Sequence, residues 1–275
     1  MRDRVLTALI LIGVMLGAAF LLPTLGWALF GCVLLFGAAL EWAGLAGYPA
    51  PQRLIFGVLL TLGGLWWAFA TGLLTDMHYP EAVSTAYAIA GVFWVLGAPL
   101  WLRARLQKPP AALLLLVGAL VLLTTYSALV QLRETHPVTL LLFLGTVWIS
   151  DIAAYFSGRH FGGRKLAPSI SPGKTWAGVY GAFVATAIYA LLWITLLPQF
   201  VPAGMNELPG GKFWMFACIA VLTAIAIVGD LFESVLKRQA GVKDSGNLLP
   251  GHGGVLDRID AVLPVLPLAA LMVSL

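Results

Sequence analysis

Long apolar stretches recur along the whole chain, broken only by short polar turns, and this feature constrains the fold more than any other. A helix needs roughly 20 such residues to cross the hydrocarbon core of a bilayer. Nine stretches qualify, at about 5–22, 25–46, 53–73, 83–101, 111–131, 137–156, 175–197, 213–233 and 255–275. Inside a membrane, backbone polar groups must be satisfied within the segment, and for single stretches of this length that means helices. The expected fold is therefore all-α, a polytopic integral membrane protein of about nine transmembrane helices. Composition agrees: 60% of the 275 residues are hydrophobic and only 10% are charged. Soluble domains sit nearer half apolar and about a quarter charged. A water-soluble enzyme, a disordered chain and a disulfide scaffold are excluded. Cys32 and Cys218 both fall in apolar runs.

The loops set the expected orientation. With the N-terminus inside and the spans alternating, every Lys and Arg except Arg133 and Lys212 falls on the cytoplasmic side. Cytoplasmic loops carry the basic excess in membrane proteins. The net charge of +4 is accordingly read as a topology signal before a ligand signal. The basic-then-apolar opening, Met1 to Phe20, is read as a retained first helix because eight further spans follow it. Residues 1–136 are plain apolar helices, about five in number. Residues 137–275 carry two longer cytoplasmic loops, 157–174 and 234–254, with acids beside them. Chemistry is expected in that second region.

Asp151, Asp230, Asp257 and Asp260 each lie in or at the edge of an apolar run. A charge at a helix centre costs about 2.5–3.5 kcal/mol on insertion scales, so acids here call for a reason. By alternation, all four fall near the cytoplasmic boundary. Asp230, Glu233, Ser234, Lys237 and Arg238 share one helical face, and Asp257 and Asp260 stand three residues apart on another. Carboxylates beside bases suit a divalent ion bound to phosphate. Oxygen ligands without nearby Cys or paired His point to Mg²⁺ rather than zinc.

Two loops supply phosphate-binding features. Between the acidic stripes runs Lys243-Asp244-Ser245-Gly246, then Pro250-Gly251-His252-Gly253-Gly254, where glycines let backbone amides approach an anion. The first loop holds Arg159, Arg164 and Lys165, read half as topology anchors, and then Ser171-Pro172-Gly173-Lys174-Thr175 opening a helix. Gly-Lys-Thr is not a P-loop here, because Pro168 stands where that motif needs glycine and no strand is expected before it. A basic, hydroxyl-bearing helix start remains, with Ser171 and Lys174 as anion ligands. Glu41, Asp76, Glu81, Arg133 and Glu134 read as loop or helix-end charges, and the Trp residues as packing or interface groups. His78, His136 and His160 show no metal-ligand spacing.

The stretch from Ser234-Val-Leu-Lys237-Arg238 through Lys243-Asp244-Ser-Gly to Leu249-Pro250-Gly-His252-Gly253-Gly254-Val-Leu-Asp257-Arg258-Ile-Asp260 resembles the signature of the phosphatidate cytidylyltransferases, the CDP-diacylglycerol synthases. Ser171 to Trp176 and the Asp151 helix resemble bacterial members, whereas Ala177 stands where some members carry an acid or amide. The resemblance implies that CTP and phosphatidic acid give CDP-diacylglycerol and pyrophosphate in phospholipid biosynthesis. It also implies Mg²⁺, a second cation such as potassium, and a homodimer in the bacterial inner membrane with its site at the cytoplasmic face. Nucleic acid is not an expected partner. On this reading Asp230, Asp257 and Asp260 hold metal, and Lys237, Arg238 and Arg258 neutralise phosphate. Ser234 and Ser171 orient phosphates with Lys174 and Asp151 beside them, and Lys243, Asp244, His252, Gly253 and Gly254 form the nucleotide loop. A transporter or a polyprenol-kinase-type phosphotransferase is the alternative. The first predicts charges spread through membrane depth, and the second lacks the long Lys-Arg to Asp-Arg-x-Asp signature.

Overall fold

Among the described residues of the computed structural model, seven helices are long and apolar enough to cross a membrane. It describes residues 2–75, 81–104, 109–202, 210–249, 251 and 253–274, with backbone alone for residues 2–9 and 11. Helix α1 spans Arg2–Leu21, and the seven long helices are α2 Thr24–Leu45, α3 Ala50–Ala70, α4 Glu81–Ala104, α5 Ala111–Thr135, α6 Pro137–Phe161, α7 Trp176–Leu196 and α8 Phe213–Gln239. Between α6 and α7 lie two short strands, β1 Lys165–Ala167 and β2 Ser171–Thr175. The chain closes with α9, Leu256–Ile259, and α10, Val262–Ser274. The fold is thus the expected all-α polytopic membrane protein.

The ninth expected span is not one helix. At 1.5 Å per residue, the 13 residues of α10 reach about 20 Å, short of the roughly 30 Å core. The break has a local cause. A continuous helix would need the Pro264 nitrogen to donate to the Asp260 carbonyl, and proline has no N–H to give. The Asp260 side chain instead accepts from the Ala261 amide at 2.8 Å.

The loops are also more structured than the apolar pattern implies. Helix α6 continues to Phe161, and α8 to Gln239, so Ser234, Lys237 and Arg238 are helical. The segment from Ser171 to Thr175 is a strand, not the opening of a helix. It pairs antiparallel with β1, Lys165 opposite Thr175 and Ala167 opposite Ser171. Gly162 and Gly163, at φ +61° and +84°, turn the chain out of α6 into this hairpin, a conformation that other residues adopt with strain. Thr175 then caps α7 by accepting from the Gly178 amide at 3.1 Å.

The chain forms two compact units, each discontinuous in sequence. The first comprises Met1–Ala86, Leu106–Pro137 and Leu236–Ile259. In it α2 lies against α5, and the indoles of Trp27 and Trp42 donate to the carbonyls of Leu129 (3.1 Å) and Leu114 (2.7 Å). Gly118 makes room for Trp42, because a Cβ there would overlap the indole. The second comprises Tyr87–Arg105, Val138–Val235 and Asp260–Leu275. Its core encloses Phe232 of α8 edge-on between Phe93, Trp94 and Trp101 of α4, each 5.5 Å from it. Tyr189 of α7 donates to the Leu142 carbonyl of α6 at 2.9 Å, and Thr223 of α8 meets Thr186 of α7 at 3.0 Å. Such hydrogen bonds join helices where no hydrophobic difference from lipid exists to drive them together.

Candidate active site

The second unit gathers acids from three segments about Asp230, which is paired with one lysine. Asp151 is on α6, Asp230 on α8, Asp260 in the turn before α10, and Lys174 reaches in from β2. Lys174 Nζ forms an ion pair with Asp230 Oδ2. The Ser234 hydroxyl, one turn on, donates to Asp230 Oδ1 at 3.5 Å, a long contact. Asp151 lies within electrostatic reach of Asp230 and Lys174, and Asp260 within reach of Asp230, Asp151 and Glu233. Glu233 is almost wholly buried at 2% exposure. Gly229 lets the Asp260 turn approach α8: a Cβ at this position would stand 2.6 Å from the Asp260 carbonyl oxygen.

A cavity of about 530 Å³ opens beside this group. Asp151, Lys174 and Asp230 line it, together with Arg159 and Lys165. Gly158, Gly162, Gly173 and Gly178 form part of its wall. Ser171, at the other end of β2, is not on that wall.

The first unit holds the second group, built on Asp257. Its Oδ1 accepts from Lys237 Nζ at 2.6 Å. Its Oδ2 accepts from the amides of Ser245 and Gly254, both at 2.9 Å, and lies 3.0 Å from the Ser245 hydroxyl. Asp257 lies outside the seven long helices. Burial pushes its carboxyl up, but the Lys237 hydrogen bond, the Gly254 and Ser245 amides and the Lys237 charge outweigh that, holding it below the usual range. The loop closes on itself as the Leu249 amide donates to the Gly253 carbonyl at 2.9 Å. Lys243, Asp244, Arg238 and Arg258 are exposed around it, and the Arg238 guanidinium donates to the Val242 carbonyl at 3.3 Å. Pro250 and His252 lie outside the described residues.

Glu41 departs from its expected role as a helix-end charge. It is 5% exposed, inside α2. Its Oε1 accepts from the Val255 amide at 3.0 Å, and its Oε2 from the Leu256 amide at 2.9 Å and the Ser245 hydroxyl at 3.0 Å. That hydroxyl carries one proton and stands between two carboxylates, Glu41 and Asp257. A Cβ at Gly246 or Gly254 would overlap Glu41, so both glycines are needed for this approach. The sequence held a signal. Before Asp76 the chain has only two acids, Asp3 and Glu41, and Glu41 alone is embedded in an apolar run.

Among the described residues, no three His, Cys, Asp or Glu side chains converge closely enough to hold an ion by themselves. A Mg²⁺ ion held by one or two carboxylates and completed by phosphate oxygens needs no such triad. Carboxylates, amide donors and cations of this kind suit the handling of phosphates at a membrane. Over residues 2–275 the chain matches the model of the cytidylyltransferase family. The chain belongs to the cytidylyltransferase family. It is 37% identical over 294 residues to a protein of Pseudomonas aeruginosa named phosphatidate cytidylyltransferase, covering 98% of this chain and 96% of the relative. Proteins of the same name from Haemophilus influenzae and Brucella suis are each 35% identical, over 289 and 267 residues. They cover 97% and 96% of this chain, and 96% and 89% of the relatives. In this cytidylyltransferase the signature residues divide between two groups: Asp151, Lys174, Asp230, Ser234 and Asp260 in one, Lys237, Gly253, Gly254 and Asp257 in the other.

Proposed function

We propose that this chain transfers the cytidylyl group of CTP to phosphatidic acid, releasing pyrophosphate and forming CDP-diacylglycerol. The observation that carries the reading is the gathering of Asp151 and Asp260 about Asp230, itself paired with Lys174, in a chain matched to cytidylyltransferases along its length. An oxygen of the phosphatidate phosphate attacks the α-phosphorus of CTP in line. A new oxygen–phosphorus bond forms as the bond to the bridging α–β oxygen breaks. The nucleophile is an anion near neutral pH, so the step needs no strong general base. The barrier is repulsion between anions and charge gathering on the leaving pyrophosphate, which fixed cations relieve.

Lys174 is placed to neutralise phosphate oxygens in the cavity, exchanging its bond to Asp230 for one to substrate. Ser234 and Asp151 would orient the same groups. Lys237 and Asp257 hold the glycine loop whose amides, with Arg238, Lys243, Asp244, His252 and Arg258, would take the nucleotide. The donor set fits Mg²⁺: Asp230 and Asp260 would hold it, with potassium as the second cation of the scheme. Asp257, also proposed as a ligand, already receives the Lys237 ammonium and two backbone amides and would serve a cation only on releasing Lys237. When bound, Mg²⁺ would offset charge on the phosphates during transfer. The basic loops support a site at the cytoplasmic face of a bacterial inner membrane.

The test is purified protein in detergent micelles with CTP, phosphatidic acid and Mg²⁺. Pyrophosphate release and a liponucleotide product, each requiring both substrates, are expected. Pyrophosphate without phosphatidic acid, or no product at all, would overturn the reading.

A further inference from the structure

Arg159 and Lys165 stand apart from the third cation lining the cavity, Lys174. Lys174 is engaged by Asp230, whereas no carboxylate among the described residues lies within ion-pair distance of Arg159 or Lys165. Both line the cavity, Arg159 from the last turns of α6 and Lys165 from the first residue of β1. Tyr155, one turn earlier on α6, accepts from Arg159 Nη1 at 3.1 Å and so orients the guanidinium. A topology anchor needs only to reach water. These two side chains instead border a half-open cavity that Asp151 and Asp230 also line.

The surfaces outside that volume are apolar and exposed. On α6, Ile152 and Phe156 are 58% and 63% exposed, and on α7, Tyr180 and Val184 are 64% and 61% exposed. In a membrane-spanning unit such faces meet acyl chains. The two helices framing the cavity also approach each other closely at Gly178, where a Cβ would lie 2.8 Å from the Ala154 carbonyl oxygen. A ligand here must combine a phosphate, to meet two cations, with an apolar tail able to lie along α6 and α7. A phosphate monoester on a lipid has both parts. A free nucleotide has no use for the apolar faces.

We infer that Arg159 and Lys165 form the headgroup cradle for the lipid phosphate, with the acyl chains of phosphatidate lying along the exposed apolar faces of α6 and α7. Arg159 grips two phosphate oxygens through its fork, and Lys165 adds a point charge. The cradle rests on the cytidylyl-transfer reading for its consequence in turnover, though not for binding. It assigns the two substrates different cations: Arg159 and Lys165 serve the lipid, and the loop after α8 serves the nucleotide.

The experiment compares wild type with Arg159→Gln, Lys165→Gln and the double variant in mixed micelles, varying phosphatidic acid and CTP separately. The expected result is a rise of about tenfold or more in KM for phosphatidic acid in the double variant, with KM for CTP unchanged. Arg159→Lys combined with Lys165→Arg keeps the charge and should recover most of the loss. An unchanged KM for phosphatidic acid, or a rise in KM for CTP instead, overturns the inference. A binding arm separates it from the proposed activity. Retention of phosphatidic acid over phosphatidylglycerol by the purified protein should depend on both residues even if wild type shows no turnover. Failure of turnover alone would then sink the activity and leave the cradle standing. Thermal melting of each variant identifies misfolding, and for any that melts early the binding arm is read on the charge-conserving pair.

Discussion

Glu41 shows how much one buried carboxylate can organise. It is the acceptor for two backbone amides at the start of α9 and for a hydroxyl of the signature loop. Glu41→Ala would strand the buried Val255 and Leu256 amides, each costing about 1–3 kcal/mol. The expected outcome is a thermal midpoint clearly below wild type in detergent, followed by far-UV circular dichroism; an unshifted midpoint would refute the role. Asp257 gives a pH dependence whose sign follows from its lowered carboxyl. Its contribution is complete above the unfolded value of about 3.9 and is lost as pH falls from there through the lower folded value. Stability should therefore drop more steeply below about pH 4 in wild type than in Asp257→Asn, which has no carboxyl to titrate. On the proposed reading Asp230 belongs to the chemistry. Asp230→Asn should lower kcat by about 10²–10³, in line with losing one stabilising group of a transition state, while the melting curve stays put.

At the scale of elements, the interruption between α9 and α10 does what an unbroken span could not. The turn puts Asp260 beside α8, and Gly229 removes the one side-chain atom that would keep it away. Gly229→Ala places a methyl against the Asp260 carbonyl and Pro264, an overpacking that costs about 1–3 kcal/mol. Lower stability and lower activity should appear together in that variant; normal activity would show that the close approach is dispensable. The hairpin between α6 and α7 serves Lys174 similarly. A strand projects alternate residues to opposite faces, so β2 can aim Lys174 into the cavity while Thr175 caps α7.

For the molecule as a whole, topology is the testable property. The basic loops predict that the hairpin turn and the loop after α8 share the cytoplasmic side. A single cysteine at the exposed Ser169 should react with a membrane-impermeant maleimide in inside-out vesicles and not in intact spheroplasts. The opposite pattern would reverse the proposed orientation. Each compact unit contains one of the two polar groups, and α8 is the element whose residues enter both: Asp230 in one, Lys237 in the other.

The all-helical membrane class was legible from the sequence because backbone hydrogen bonding in lipid leaves a long apolar segment so few alternatives. The family was legible too, because the signature residues carried it. The role of Glu41 was not readable: its place inside an apolar run marks it as unusual, but its partners lie more than 200 positions away. Nor was the separate hold on Asp257, the pairing of Lys174 with Asp230, or the cavity that Arg159 and Lys165 border. Periodicity reports which face of a segment is apolar. Only the packed chain decides which polar atoms from distant segments come within bonding distance.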